Sequence, residues 1–129
     1  MAAGYNQYAP MPGVQGLREV ISEKIASLHH YSYHPETEIT VTAGASQAIY
    51  TIISAFISKG DEVIILKPAY DCYEPSIELQ GGVPVLVQLQ PNFTVNWKEV
   101  AEKINPKTKM IVINTPHNPS GAILSLIHI

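Results

Sequence analysis

Apolar residues recur every three or four positions in two stretches of the chain. This spacing places them on one face of a helix, so it predicts helices over about 14–28 and 45–58. Lys59 and Gly60 follow the second stretch, a cation and a glycine of the kind with which helices commonly end. The apolar positions are Leu17, Ile21, Ile25 and Leu28 in the first helix, and Ala45, Ala48, Ile49, Ile52 and Phe56 in the second.

A different pattern marks the strands. Residues 62–66 are almost continuously apolar, which is typical of a strand covered on both faces. Residues 38–42 alternate and predict a strand, and the runs 83–89 and 109–114 predict two more. Pro84 indicates that the third of these strands lies at a sheet edge or begins just after the proline.

Two short helices complete the pattern, at 70–79 and at 96–104, the second with Asn96 as a possible N-cap. After the leading helix the order is therefore β-α-β-α-β-α-β. This order predicts an α/β fold with a mainly parallel sheet and flanking helices.

Composition narrows the possible classes of protein. The net charge is -3 and the eight lysines and arginines form no basic stripe, so nucleic-acid binding is not expected. Cys72 is the single cysteine, which excludes an internal disulfide and favours a reducing compartment. The apolar stretch 48–57 is far shorter than the ~20 residues of a membrane helix, and the first residues lack the pattern of a signal peptide. Together these features predict a cytoplasmic protein without membrane contacts.

Three segments carry candidate chemistry, each at the predicted carboxyl end of a strand, where α/β sheets bind ligands. The turn Thr42–Gln47 has small residues and the Ser46 hydroxyl at a helix start, which suits a phosphate, although Ser46 could merely cap the helix. Tyr70 could stack on a planar ring or simply pack over the sheet end. Asn118 lies in a loop rich in proline and glycine after the last strand.

Histidines and the cysteine give weaker signals. His29 and His30 are adjacent and so point in different directions on a helix, and with His34 they match a solvated helix end better than a metal site. His117 could act as an acid or base, but a single histidine beside two prolines is not evidence for either role. Burial as a small hydrophobic residue is favoured for Cys72 over a reactive thiol.

Taken together, the three segments resemble the cofactor site of the class I and II aminotransferases of fold type I, which use pyridoxal phosphate (PLP). The similarity covers residues 4 to about 124 and is greatest to the methionine and kynurenine–oxoglutarate aminotransferase branch. It rests on these motifs: Asn6–Gly13, Gly16–Arg18, Thr42–Ile49, Gly60–Val63, Pro68–Pro75 and Asn114–Gly121.

The resemblance implies a role for each matching residue. Gly44, Ala45 and Ser46 would hold the phosphate of PLP, Tyr70 would stack on its ring, and Asn118 would hydrogen-bond its phenolic oxygen. Tyr8 would reach the phosphate in the neighbouring subunit, which implies a homodimer. The family also implies a cis peptide bond between Asn118 and Pro119.

The implied reaction moves an amino group from an L-amino acid (methionine, aromatic or kynurenine-like) to a 2-oxo acid. The family's Ser-x-x-Lys, whose lysine carries the cofactor, does not occur in this chain, so no catalytic residue is assigned. We therefore expect a fragment that is inactive alone. It would comprise an irregular segment at 1–13, part of the PLP-binding large domain at 14–123 and a non-native tail at 124–129.

Other hypotheses remain open. A PLP-dependent carbon–sulfur β-lyase of the same fold would share these motifs. A non-catalytic phosphate-binding α/β domain would share the turn at Ser46 alone. A last hypothesis is that the chain is an unstable product without function, whose core faces would be exposed to solvent.

Overall fold

The computed structural model describes residues 8–124. These residues divide into two compact units, 8–45 and 46–124. Among them, no helix is long and apolar enough to cross a membrane.

The first unit is built around helix α1 (Gln15–His29), which begins after an extended Val14 and ends at His30 in the left-handed conformation. Arg18 is buried, with 6% of its surface exposed. Its guanidinium donates to the carbonyl of Pro35 at 2.7 Å and to the side chain of Gln15 at 2.6 Å. These bonds tie the loop after α1 back to its first turn.

The strand predicted over 38–42 is not formed, and that prediction is wrong. The Val41 N–H donates to the carbonyl of Pro12 at 2.9 Å, but proline has no N–H with which to continue a ladder. The Glu38 N–H closes a turn onto the His34 carbonyl. Gly13 lies beside this segment with φ +97°, and a Cβ there would come within 2.8 Å of the Val41 Cβ.

The second unit contains a parallel three-stranded sheet in the order β2-β1-β3. Strand β2 lies at an edge, as Pro84 predicts. The parallel α/β fold predicted from the pattern is thereby confirmed. In chain order its elements are α2 (Ala45–Phe56, whose first residue belongs to the first unit), β1 (Glu62–Lys67), α3 (Tyr73–Leu79), β2 (Val83–Gln88), α4 (Trp97–Lys103) and β3 (Thr108–Val112).

Strand β1 is the centre of the core, and its four middle residues are all buried. Because side chains alternate along a strand, they supply two clusters on opposite faces. We call these the α2/α3 cluster and the α4 cluster. The α2/α3 cluster comprises Ile53, Ile57, Val63, Ile65, Tyr73 and Ile77. The α4 cluster comprises Ile64, Leu66, Val87, Leu89 and Val100.

The remaining element boundaries agree with the pattern to within a few residues. The largest shift is in α3, which begins at Tyr73 rather than Tyr70, because residues 71 and 72 form a turn. Asn96 caps α4 as predicted, its side-chain oxygen accepting from the Glu99 N–H at 3.3 Å. Gly82 directly precedes β2, and a Cβ at this glycine would lie 2.6 Å from a methyl carbon of Ile57.

Candidate functional site

Ser46 and Tyr70 are brought together although 24 positions separate them in sequence. The Ser46 hydroxyl, on the first turn of α2, lies 2.9 Å from the Tyr70 hydroxyl. Tyr70 lies just beyond the carboxyl end of β1. A hydroxyl at a helix start and an aromatic ring therefore meet beyond the carboxyl end of β1, although the strand predicted to precede Ser46 is not formed.

The ring of Tyr70 is held by its neighbour Tyr73. The two rings pack edge to face, with centroids 5.9 Å apart and planes at 82°. Tyr73 is only 8% exposed and belongs to the α2/α3 cluster. The orientation of Tyr70 is therefore tied to the hydrophobic core, a link that the spacing of two tyrosines at positions i and i+3 could have suggested.

The side chains of Cys72 and Tyr73, which follow Tyr70 closely, both have raised pKa values. Burial raises the pKa of the Cys72 thiol and the Asp71 carboxylate raises it further, while hydrogen bonds from the backbone and from Ser46 act in the opposite direction. Burial, together with Cys72 and Tyr70, also raises the pKa of the Tyr73 hydroxyl. Cys72 is accordingly a protonated, partly buried thiol at neutral pH.

Gly44 and Ala45 directly precede Ser46. Gly44 has φ +98°, which favours glycine, and no atom lies within 4 Å of the position that a Cβ would occupy. The glycine therefore serves the backbone conformation rather than relieving crowding. The first turn of α2, described in full, contains no acidic residue. The partial positive charge of a helix start suits an anion there.

Asn118 is exposed in the loop that follows β3. The Asn118–Pro119 peptide is cis, as the resemblance implies. The loop is closed by two backbone bonds, from the His117 N–H to the Ala122 carbonyl and from the Gly121 N–H to the His117 carbonyl, each 2.7 Å long. Asn118 is thus the exposed part of a tightly bonded turn.

His117 and Ser120 were not singled out as site residues by sequence reasoning. The His117 side chain is buried, with 6% of its surface exposed, and its Nδ1 lies 2.8 Å from the Ser120 hydroxyl. It lines a tight crevice with Leu66 and Leu89 of the α4 cluster. The His-x-x-Ser spacing was visible in the sequence, but burial of the imidazole was not.

The sequence also offers Tyr8 and several histidines as candidates. Tyr8 belongs to the first unit and its side chain is fully exposed. Within residues 8–124, no group of three or more metal-ligating side chains could hold a metal ion. Two crevices, of about 330 and 270 Å³, contain none of the predicted site residues.

Comparisons with known proteins agree on one family. Residues 1–129 match the model of aminotransferase class I and II. The methionine aminotransferase of Escherichia coli is 48% identical over 95% of this chain, and rat kynurenine–oxoglutarate transaminase 1 is 39% identical over 93%. The chain spans about a third of the length of these relatives, 32% and 31% respectively.

Solved structures agree. A crystal structure of a methionine aminotransferase from Escherichia coli superimposes with a TM-score of 0.94 and 46% identity, covering 98% of this chain and 34% of the other. The N-succinyldiaminopimelate aminotransferase of Mycobacterium tuberculosis gives a TM-score of 0.93 at 37% identity, with the same two coverages. The predicted resemblance is confirmed, and the chain belongs to the aminotransferase class I and II family.

Proposed function

We propose that the protein is a PLP-dependent aminotransferase that moves an amino group from an L-amino acid of the methionine, aromatic or kynurenine type to a 2-oxo acid. The observation that carries the proposal is the 2.9 Å contact between the Ser46 and Tyr70 hydroxyls. It joins an anion-binding helix start to an aromatic ring at one point. PLP combines the two matching chemical features, a phosphate and a planar ring.

The residues present fit this cofactor. Gly44, Ala45 and Ser46 would receive the phosphate, since the helix start is exposed, free of acidic side chains and open beside Gly44. The Ser46 hydroxyl would donate to a phosphate oxygen, and the Tyr70 hydroxyl can then donate to Ser46. Lys67, the nearest cation along the loop, is already paired with Glu74, so the helix start supplies the positive potential.

Tyr70 and Asn118 would orient the ring. Tyr70 would stack on it, its own plane fixed by Tyr73. The Asn118 amide would donate to the phenolic oxygen and favour its ionised form. When bound, PLP supplies the electron sink for amino transfer. The contribution of this chain is to hold and orient the cofactor.

Two further features belong to the same proposal. Tyr8, exposed here, would contact the cofactor phosphate of a second subunit in a homodimer. The protein would work in the cytoplasm, in keeping with its single cysteine. Residues 14–123 would form part of the PLP-binding domain, between the irregular segment 1–13 and the tail 124–129.

The reaction is tested with the purified full-length gene product, PLP, L-methionine and 2-oxoglutarate. We expect the 2-oxo acid derived from methionine and glutamate to appear in equal amounts by mass spectrometry, with no product when PLP is omitted. A β-lyase would instead release a thiol, pyruvate and ammonia from a cysteine S-conjugate without consuming 2-oxoglutarate. If these products appear and no glutamate is formed, the proposed amino transfer is wrong and the reaction is β-elimination.

The 129-residue chain alone should transfer no amino groups, because it contains no Ser-x-x-Lys to supply the family's cofactor-bearing lysine. Turnover of methionine or kynurenine by this purified chain would refute that expectation. The same assay with the full-length gene product is the positive control.

A further inference from the structure

We propose that His117 and Ser120 are positioning residues that fix Asn118 for its contact with the cofactor. This inference rests on the proposed function, because Asn118 acts only if PLP binds. It assigns the buried imidazole a role other than acid–base catalysis. The evidence is the bonding of the loop and the surroundings of the imidazole.

The loop is bonded on both sides of Asn118. On one side, the His117 N–H donates to the Ala122 carbonyl, and the His117 carbonyl accepts from the Gly121 N–H. Both hydrogen bonds are 2.7 Å long. On the other side, the Ser120 hydroxyl lies 2.8 Å from His117 Nδ1 and accepts from the Ala122 N–H at 3.3 Å. Asn118 and Pro119 therefore lie within a closed ring of hydrogen bonds.

The imidazole anchors this ring to the core. It is buried and shares its crevice with Leu66 and Leu89, which are 2% and 6% exposed. Leu66 is in β1, and Leu89 directly follows β2, so the loop from β3 is held against the carboxyl ends of two other strands. While the Ser120 hydroxyl accepts from the Ala122 N–H, its own hydrogen is still available to Nδ1.

Asn118 itself is exposed, so packing in the core does not hold it in place. Its placement must come from its neighbours on either side. An amide that donates to an ionised phenolic oxygen lowers the pH at which that oxygen gains a proton. Loosening the loop should therefore raise this pH, a change that loss of overall stability alone does not produce.

The test uses the full-length gene product loaded with PLP and follows the visible absorption of the bound cofactor against pH. Ser120→Ala removes both contacts of the hydroxyl, and His117→Phe keeps an aromatic side chain in the crevice but removes Nδ1. We expect each variant to raise the midpoint of the absorbance change by ~0.5–1 pH unit. Ser120→Thr, which keeps the hydroxyl, should restore most of the wild-type value.

A double-mutant comparison separates positioning from general damage. On an Asn118→Ala background, Ser120→Ala should add no further shift, because the group it positions is gone. An equal shift on both backgrounds, or no shift in Ser120→Ala, would overturn the inference while leaving PLP binding intact. If His117→Phe fails to fold, Ser120→Ala still decides the question. A wild-type protein without any cofactor band would overturn the proposed function and this inference together.

Discussion

The loops after β1 and after β3 each carry a candidate ligand residue, the half-buried Tyr70 and the exposed Asn118, but they rest on opposite faces of β1. Tyr70 is supported by Tyr73, which belongs to the α2/α3 cluster. The loop of Asn118 is supported by His117, which lies against Leu66 and Leu89 of the α4 cluster. Each side chain that we propose to contact the cofactor thus has a buried neighbour in a different half of the core. The two supports should therefore be separable by mutation.

The largest effect is expected from Ile77→Ala, since Ile77 is fully buried in the α2/α3 cluster. The cavity should lower the free energy of unfolding by ~2–5 kcal/mol, and Ile77→Val by ~0.5–1.5 kcal/mol. Urea denaturation of the full-length gene product measures both. PLP affinity should fall in Ile77→Ala while the pH midpoint of the cofactor absorption stays unchanged. A midpoint shift as large as that of Ser120→Ala would mean that the two supports are coupled.

Replacing Tyr70 by leucine should remove the aromatic contact with Tyr73 and the expected stacking on PLP. We expect PLP binding to weaken about three- to tenfold, in line with ~0.5–1.5 kcal/mol for an aromatic pair. Tyr70→Phe keeps the ring and loses only the hydroxyl bonded to Ser46, so its affinity for PLP should fall less than that of Tyr70→Leu. Equal affinities of Tyr70→Leu and wild type in an equilibrium titration would remove Tyr70 from the site.

A smaller change is expected at the start of α4, which covers the α4 cluster. Asn96→Ala removes the side-chain oxygen that accepts from Glu99, and it should lower the free energy of unfolding by ~1 kcal/mol. Asn96→Asp keeps an N-cap acceptor and is the matched control. If the aspartate variant loses as much as the alanine variant in urea denaturation, the cap is not the cause.

The smallest effect concerns Cys72. Because burial and Asp71 raise the pKa of its thiol, less thiolate is present at neutral pH, and alkylation by iodoacetamide should be slower than that of a small thiol. The rate should rise as pH increases toward the raised pKa. Asp71→Asn should speed alkylation, whereas Asp61→Asn, on a different loop, should not. Equal acceleration by both variants would exclude a local effect of Asp71.

The sequence predicts most of the second unit because its signals are local. The almost continuously apolar run at 62–66 is formed as part of the central strand, and Asn96 caps its helix. The alternation at 38–42 is misleading, since a strand needs a partner and alternation does not supply one. The burial of His117 could not be predicted, because the crevice that it lines is shared with Leu66 and Leu89, which are distant in the sequence.

The measurement that tests the central claim most directly is equilibrium PLP binding to the full-length gene product, compared among wild type, Tyr70→Leu and Asn118→Ala. We predict one PLP per chain in the wild type, weaker binding in Tyr70→Leu, and a raised pH midpoint of the cofactor absorption in Asn118→Ala. If the wild type binds no PLP, or if both variants match it in affinity and midpoint, then the two loops on opposite faces of β1 do not form a PLP site.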